Sequence, residues 1–298
     1  MKKIFLLILL SASFTYGQTG GKTGLSFLEL GFGARNSAMA DLGTVTSSGA
    51  SAQAYNPAIL AFNTQPQVLF NHNTLLFDVS NQIMGANFNL FGIPFGAIVQ
   101  TTSINDIEIR LNPGEPIARF NAHYFMAGIS SGLPITGNLS AGLTVKYIYE
   151  ELFTDNSNGA AVDLGLYYKD IVDGLNLGIA YRHLGTMNDL KSEATPLPEN
   201  LRLGASYSFS APALYSDINV AVGILKYTSA SNAHLQAAGE IVIKKFLSLR
   251  AGYISGFDSK SLTAGAGIRW GNFNFDYSII PYKYDLGNSN IVSISFDF

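Results

Sequence analysis

The chain has no cysteine, which excludes disulfides, thiolate nucleophiles, Cys-ligated metals and lipid attached to a cysteine. Charge is scarce as well: only 13% of the 298 residues are charged, with a net charge of −3. There is no basic field to hold nucleic acid and no acidic tail, so nucleic acid is not an expected partner. Long apolar runs are also missing. Beyond residue 17 none approaches the roughly 20 residues of a membrane-spanning helix, although 47% of residues are hydrophobic and 12% aromatic. Apolar residues must therefore be distributed by alternation. Glycine (30) and tyrosine (15) are plentiful, which suits closely packed strands and aromatic girdles.

The first residues, Met1-Lys2-Lys3 and the apolar run Ile4 to Leu10, have the form of an export signal, with Thr15 and Gly17 as the small residues of a cleavage site before Gln18. From about Gln67 the chain becomes a series of period-two segments, the spacing that sends alternate side chains to opposite faces of a strand. In Asn272 to Ile279, Phe273, Phe275, Tyr277 and Ile279 face one way and Asn272, Asn274, Asp276 and Ser278 the other. Leu201 to Phe209, Ala161 to Tyr168 and Leu175 to Arg182 repeat the pattern. With breaks at Gly, Pro, Asn, Asp and Ser clusters, about 14 strands follow. The prolines from Pro94 onward fall at or beside connections, as a residue without an N–H should.

Short turns near Gly92, Pro134 to Gly137, Asp170 to Asp173, Ala211 to Leu214, Lys244 to Lys245 and Gly271 alternate with longer connections at Asp106 to Ala118, Leu152 to Ser157, Gly185 to Leu197 and Pro281 to Asn288. Short periplasmic turns, longer outer loops and an even strand number describe an outer-membrane barrel. The expected fold is all-β: a 14-stranded antiparallel transmembrane β-barrel with an N-terminal hatch plugging the lumen. The expected location is the bacterial outer membrane, with outer-membrane lipid as a partner. The expected organisation is a signal peptide over residues 1–17, a hatch over 18–65 and the barrel over 66–298. Val292, Ile294, Phe296 and Phe298 form one face of the last strand. Phe296 and Phe298 resemble a C-terminal assembly signal.

Residues 18–65 do not alternate; they are rich in Gly, Ala and Ser and weakly helical around Ala34 to Leu42 and Ala50 to Phe62. A barrel of this size is wider than side chains can fill, so this segment is expected to plug it. Its Arg35 should pair with a strand carboxylate such as Asp163 or Asp276, because an unpaired charge there is costly. Arg35 could anchor the plug or gate a path, and the rigid turn at Asn56-Pro57-Ala58 could fix the hatch or line a pocket.

No constellation for catalysis appears. Gly20-Gly21-Lys22-Thr23 resembles the end of a phosphate-binding loop, but Tyr16 stands where the first glycine is required. Gly265-Ala266-Gly267 reads as close packing within a strand. His72, His123, His183 and His234 have no ligand-like spacing. Glu150 and Glu151 point to opposite faces of a strand, near the outer rim, and there is no Gly-x-Ser-x-Gly elbow. No catalytic residue, metal or cofactor is expected.

Phe27-Leu28-Glu29-Leu30, Gly33-Ala34-Arg35, Met39-Ala40, Gly43 and Tyr55-Asn56-Pro57-Ala58-Ile59-Leu60 resemble the N-terminus of the PorV/PorQ family. That family is related to the FadL-type transporters, which carry a similar Asn-Pro-Ala motif in the hatch of a 14-stranded barrel. The chain is shorter than expected of a typical PorV. The resemblance implies a non-enzymatic role in type IX secretion, with secretion-system proteins and the C-terminal signal domains of cargo as partners. The other reading is a FadL-like channel for fatty acids or other hydrophobic small molecules. It requires an apolar pocket beside the hatch and an opening in the wall around Gly92, Pro94 and Gly96. The connections Asp106 to Ala118 and Gly185 to Leu197 are the expected places for partner contact.

Overall fold

The computed structural model describes residues 23–63, 65–76 and 79–298; the expected signal peptide lies outside the described residues. Strands β1 (Gln67–Thr74), β2 (Ser80–Leu90), β3 (Ile93–Ile109), β4 (Ala118–Pro134), β5 (Leu139–Leu152), β6 (Asp155–Tyr168) and β7 (Leu175–Met187) form the first half of the sheet. A two-stranded ribbon, β8 (Asp189–Leu190) and β9 (Glu193–Ala194), interrupts the connection to the second half. That half comprises β10 (Asn200–Ala211), β11 (Ser216–Tyr227), β12 (Ala233–Ile243), β13 (Leu247–Ile254), β14 (Leu262–Trp270), β15 (Phe273–Pro281) and β16 (Asn288–Asp297). All but β8 and β9 pair in a closed antiparallel barrel in which β1 meets β16, from Gln67↔Asp297 to Thr74↔Asn290. Closure removes the free edges that would otherwise template aggregation.

Alternation explains why these segments become strands of a membrane barrel. Ile129, Val145, Leu164, Val222 and Ile294 are exposed, while their inward neighbours Ser130, Thr144, Asp163 and Ser293 are buried. A water-soluble domain has the opposite arrangement; exposed apolar residues on nearly every strand form a lipid-facing band. At the end of the barrel where the turns are short, aromatic rings gather on the outside. Phe88 stacks on Phe95, Tyr207 on Phe209, and Phe296 contacts Phe273 with centroids 4.8 Å apart. Such a girdle marks a membrane–water interface.

At this turn end, β2 and β3 are joined by Phe91 and Gly92, and β14 and β15 by Gly271 and Asn272. The loop end carries longer connections, with one correction. The expected loop Leu152 to Ser157 contracts to Phe153 and Thr154, because β6 begins at Asp155 and pairs with Leu152. The wall is also uneven in height: β3 and β4 have 17 residues each, β13 only 8.

The lumen is filled by residues 23–63, a chain of single helical turns: α1 (Ala34–Ala38), α2 (Gly43–Thr46), α3 (Ala52–Tyr55) and 3₁₀ turns at Ser26–Glu29, Gly49–Ser51 and Pro57–Phe62. Small residues keep this plug slender enough for its backbone to touch the wall. Ala34, Ala38, Ala50, Ala52 and Ala58 are all 0% exposed. The plug starts at the loop end, where Gly24 N–H donates to Pro196 O at 3.0 Å. It leaves at the turn end, where Gln65 O accepts from Asn87 Nδ2 at 2.9 Å.

Candidate functional site: a clamped hatch between two vestibules

The wall receives the hatch through glycines. Gly142 lies opposite both Gly132 and Gly165 across β4, β5 and β6. A Cβ on Gly142 would stand 2.2 Å from Ala58 N, and one on Gly165 2.0 Å from Asn56 Oδ1. On the next pair of strands Gly178 faces Gly204, and its Cβ would stand 2.3 Å from Thr44 O. Strand glycines weaken a sheet locally, and here they make the room in which another backbone can dock.

The Asn56-Pro57-Ala58 turn occupies that room. Asn56 caps the following 3₁₀ turn by accepting from Ala58 N–H at 3.1 Å, with Pro57 in the first position, where its missing N–H has no cost. The Asn56 amide donates to Thr44 O within the hatch (3.1 Å) and to Leu166 O of β6 (3.0 Å). Ser140 Oγ of β5 donates to Ala58 O at 2.8 Å. All of these bonds fasten the hatch to itself or to the wall.

Arg35 sits on α1 and forms a two-pronged ion pair with Glu240 of β12: Nε–Oε1 2.9 Å and Nη2–Oε2 2.6 Å. It also donates to Thr46 O. Arg35 thus meets a strand carboxylate, as expected, but Glu240 stands in place of the two examples, Asp163 and Asp276. Asp276 is joined at one remove, through Arg250, which donates to Glu240 and Asp276 at 2.6 Å each. Asp163 faces another part of the lumen and meets Lys146 Nζ at 2.5 Å. Sequence order carries no information about which inward carboxylate lies beside α1, so the choice among them was not legible.

A second ionic cluster lies deeper, around hatch Glu29. Its carboxylate takes Arg202 Nη2 at 2.8 Å, His183 Nε2 at 2.8 Å, Asn200 Nδ2 at 2.9 Å and the Tyr227 hydroxyl at 3.1 Å, with Arg182 at 3.9 Å. A β-bulge delivers two of these groups. The β6–β7 register shifts between Val162 and Leu164, and His183 adopts φ 62, which turns the consecutive Arg182 and His183 both inward, where both are buried. Asp163 Oδ1 accepts the displaced His183 N–H at 2.8 Å. Burial alone would raise the Glu29 carboxyl, but Arg182, Arg202 and His183 hold it well below the usual carboxylate range. The hatch side is completed by Tyr55, whose hydroxyl donates to Asp41 Oδ1 at 2.5 Å. In the sequence Glu29 is one residue of the Phe27-Leu28-Glu29-Leu30 motif, and Arg182 and Arg202 occupy polar positions of alternating segments. A usable signal existed: Lys146, Asp163, Arg182, Arg202 and Glu240 are ionisable residues in the inward register of apolar-faced strands.

Gly92, Pro94 and Gly96 do not border an opening. Gly92 is in the β2–β3 turn, Pro94 lies opposite Asn89, and the β2–β3 pairing runs unbroken from Ser80↔Ser103 to Leu90↔Ile93. A hatch residue seals the inner side at Gly96: Gln53 Nε2 donates to Ala86 O (3.2 Å) and Ala97 O (2.9 Å). Phe296 and Phe298 contact each other edge-on at 4.9 Å, and Phe298 N–H donates to Pro66 O. Glu150 is near the loop end but faces inward, buried, and accepts from Thr195 Oγ1 at 2.6 Å. That bond belongs to another departure. The connection expected to be a contact surface, Gly185 to Leu197, begins as β7 strand and carries the largely exposed β8–β9 ribbon before its end turns inward, where Leu197 packs against Leu25, Phe27 and Leu28 of the hatch. The other, Asp106 to Ala118, starts as the end of β3 and finishes on the first residue of β4, with residues 110–117 between them forming a mostly exposed tip.

Two vestibules flank the plug. At the turn end a cavity of about 610 Å³ is lined by Arg35, Glu240, Arg250, Arg269, Asp276 and Asp297 among others, and a second of about 530 Å³ adjoins it at Arg35 and Asp217. At the loop end a pocket of only about 110 Å³ lies among Leu30, Leu225, Ile254, Phe257 and Leu262. Between them, Phe27, Leu28, Phe32 and Tyr55 pack against Ile83, Ile98, Met126 and Ile148.

A lipid-facing barrel of fourteen antiparallel strands, closed around an N-terminal plug, defines a class: the hatch-plugged barrels of the bacterial outer membrane. The family model described as "Type IX secretion system protein PorV" matches residues 16–230, and the chain belongs to that family. The match spans the hatch and the strands through β11. Among solved structures, the toluene transporter TodX of Pseudomonas putida is similar in fold, with TM-score 0.61, 15% identity and coverage of 90% of this chain and 98% of that one. The monoaromatic hydrocarbon channel CymD gives TM-score 0.58 at 13% identity over 90% and 97% of the two chains. A FadL homologue of Pseudomonas aeruginosa gives TM-score 0.52 at 12% identity over 88% and 97%. No curated protein matches the chain. With its place in the outer membrane given, the loop end is the outer end and the turn end the periplasmic end.

Proposed function

We propose that this barrel is a non-enzymatic carrier or attachment component of type IX secretion, which binds secreted cargo and secretion-system proteins at its outer face. The observation that carries the reading is the family match across hatch and barrel. The lumen supports it: a plug fixed by two ionic clusters and by main-chain contacts at glycines leaves the rim, not the bore, for partner contact. Its expected partners are secretion-system proteins and the C-terminal signal domains of cargo. The test is affinity purification of the tagged full-length protein from detergent-solubilised outer membrane. Recovery of secreted proteins that share a C-terminal domain supports carriage; a co-purifying fatty acid with no protein partner would sink it.

A second reading, a channel for fatty acids or other hydrophobic small molecules, draws on the likeness in fold to TodX and on the apolar pocket at the outer end. The pocket counts against it by size, at about 110 Å³ against the ~300 Å³ or more of ordinary small-molecule sites.

A further inference from the structure

Beyond the level at which its neighbours stop, the β3–β4 hairpin continues alone. Ser103 is the last β3 residue paired with β2, opposite Ser80, and Ala122 the last β4 residue paired with β5, opposite Leu152. Among the described residues, 104–109 and 118–121 therefore form a short ribbon with no strand on either flank, joined by the turn 110–117. A local irregularity makes it two-faced. Ile104 still lies opposite the lumen-facing Ala122, which is fully buried. Asn105 and Asp106 then bulge, with Asp106 at φ 57, and the count shifts so that Ile107 lies opposite Phe120 and Ile109 opposite Ala118.

Directly opposed residues share a face, so Ile107, Ile109 and Phe120 carry the lumen side of the wall upward beside the mouth. Phe153 of the β5–β6 turn meets Phe120 edge-on at 5.7 Å and widens this apolar face. The opposite face is ionic: Glu108 accepts from Arg110 at 2.9 Å and from Arg119 at 3.1 Å.

Flanking main-chain groups without a ladder partner are completed by an extended chain, and apolar side chains at every second position are matched by the same spacing in the occupant. A helix could cover Ile107, Ile109 and Phe120, but it has no free main-chain groups for the flanks. We propose that the β3–β4 ribbon is a strand-docking site at the barrel mouth, which takes an extended segment of a partner protein bearing apolar residues at alternate positions. The proposal deepens the reading of this barrel as a protein carrier and rests on it.

The test places a photo-crosslinking residue at Ile109 or, as the control on the ionic face, at Arg119 in the full-length protein in its native outer membrane. The linked peptides are read by mass spectrometry, and co-purified partners are quantified alongside. The expected result is an adduct about tenfold stronger from position 109, on a partner segment with alternating apolar residues. An Ile107→Lys change should reduce it about tenfold while the barrel keeps its β-sheet circular dichroism. Partners that co-purify undiminished with Ile107→Lys, equal adducts from both faces, or adducts only to a second copy of this chain would each overturn the ribbon as the dock while leaving the carrier reading in place. Absence of any protein partner from the unsubstituted chain would overturn both.

Discussion

Glu29 and Asn56 fasten opposite ends of the hatch by different chemistry. Replacing Glu29 by Gln leaves Arg182 and Arg202 without their shared buried counter-charge, although Arg202 keeps Asp41 Oδ2 at 3.4 Å. The expected cost is about 3 kcal/mol, seen as a lower unfolding temperature in detergent by circular dichroism. Asn56→Ala removes the donor to Thr44 O and Leu166 O and the cap on Ala58 N–H, at about 1–3 kcal/mol. Asn56→Asp is the sharper variant. It keeps the cap acceptor but turns a second carboxylate oxygen toward two carbonyls, so it should destabilise at least as much as Ala; a milder effect would mean that capping, and not the bridge to β6, is what Asn56 contributes. The sequence displayed Asn56 as part of a motif, yet its partners Thr44 and Leu166 carry no signal in their side chains because only their carbonyls are used.

At the scale of elements, the strands were legible and the contacts between hatch and wall were not. Alternation in Asn272 to Ile279 reports a real asymmetry of surroundings, lipid outside and polar lumen inside, so β15 announces its two sides from Phe273 to Ser278, while the apolar Ile280 lines a pocket in the lumen. The hatch has no such rule. Arg35 meets Glu240 across 205 positions and Arg202 meets Glu29 across 173, and such pairings leave no periodic trace. The glycines of β4 to β6 were visible as strand glycines, but the backbone that fills their space was not. The fit makes a prediction about the element as a whole. Gly142→Val would drive a side chain into Ala58 N and Pro57 C, an overpacking of about 1–3 kcal/mol. The barrel should still form, because its ladder is unaffected, while the hatch should be dislodged. The reading is ion conductance in planar bilayers, which should rise well above that of the unsubstituted protein; an unchanged conductance would show that the plug holds without this contact.

For the molecule as a whole, orientation is open to a direct check because no native cysteine interferes. A cysteine at Asn112, in the exposed tip of the β3–β4 hairpin, should react with an impermeant maleimide on intact cells. One at Ala213, in the β10–β11 turn, should react only after the outer membrane is breached. The reverse pattern would invert the barrel. The unequal wall also has a consequence for the lipid. β13 and β1 have 8 residues each, β5 and β6 have 14; at a tilt near 40° the short strands span about 21 Å and the tall ones about 36 Å. Tall strands can continue past the bilayer into water, so any mismatch with the lipid falls on the short ones. β13 and β1 fall just short of the roughly 9–11 residues of an ordinary spanning strand, so the expected response is a local thinning of the lipid that meets them. Shorter-chain lipids should relieve that mismatch and raise its unfolding temperature relative to long-chain ones, an effect a barrel of even height would not show in the same sense.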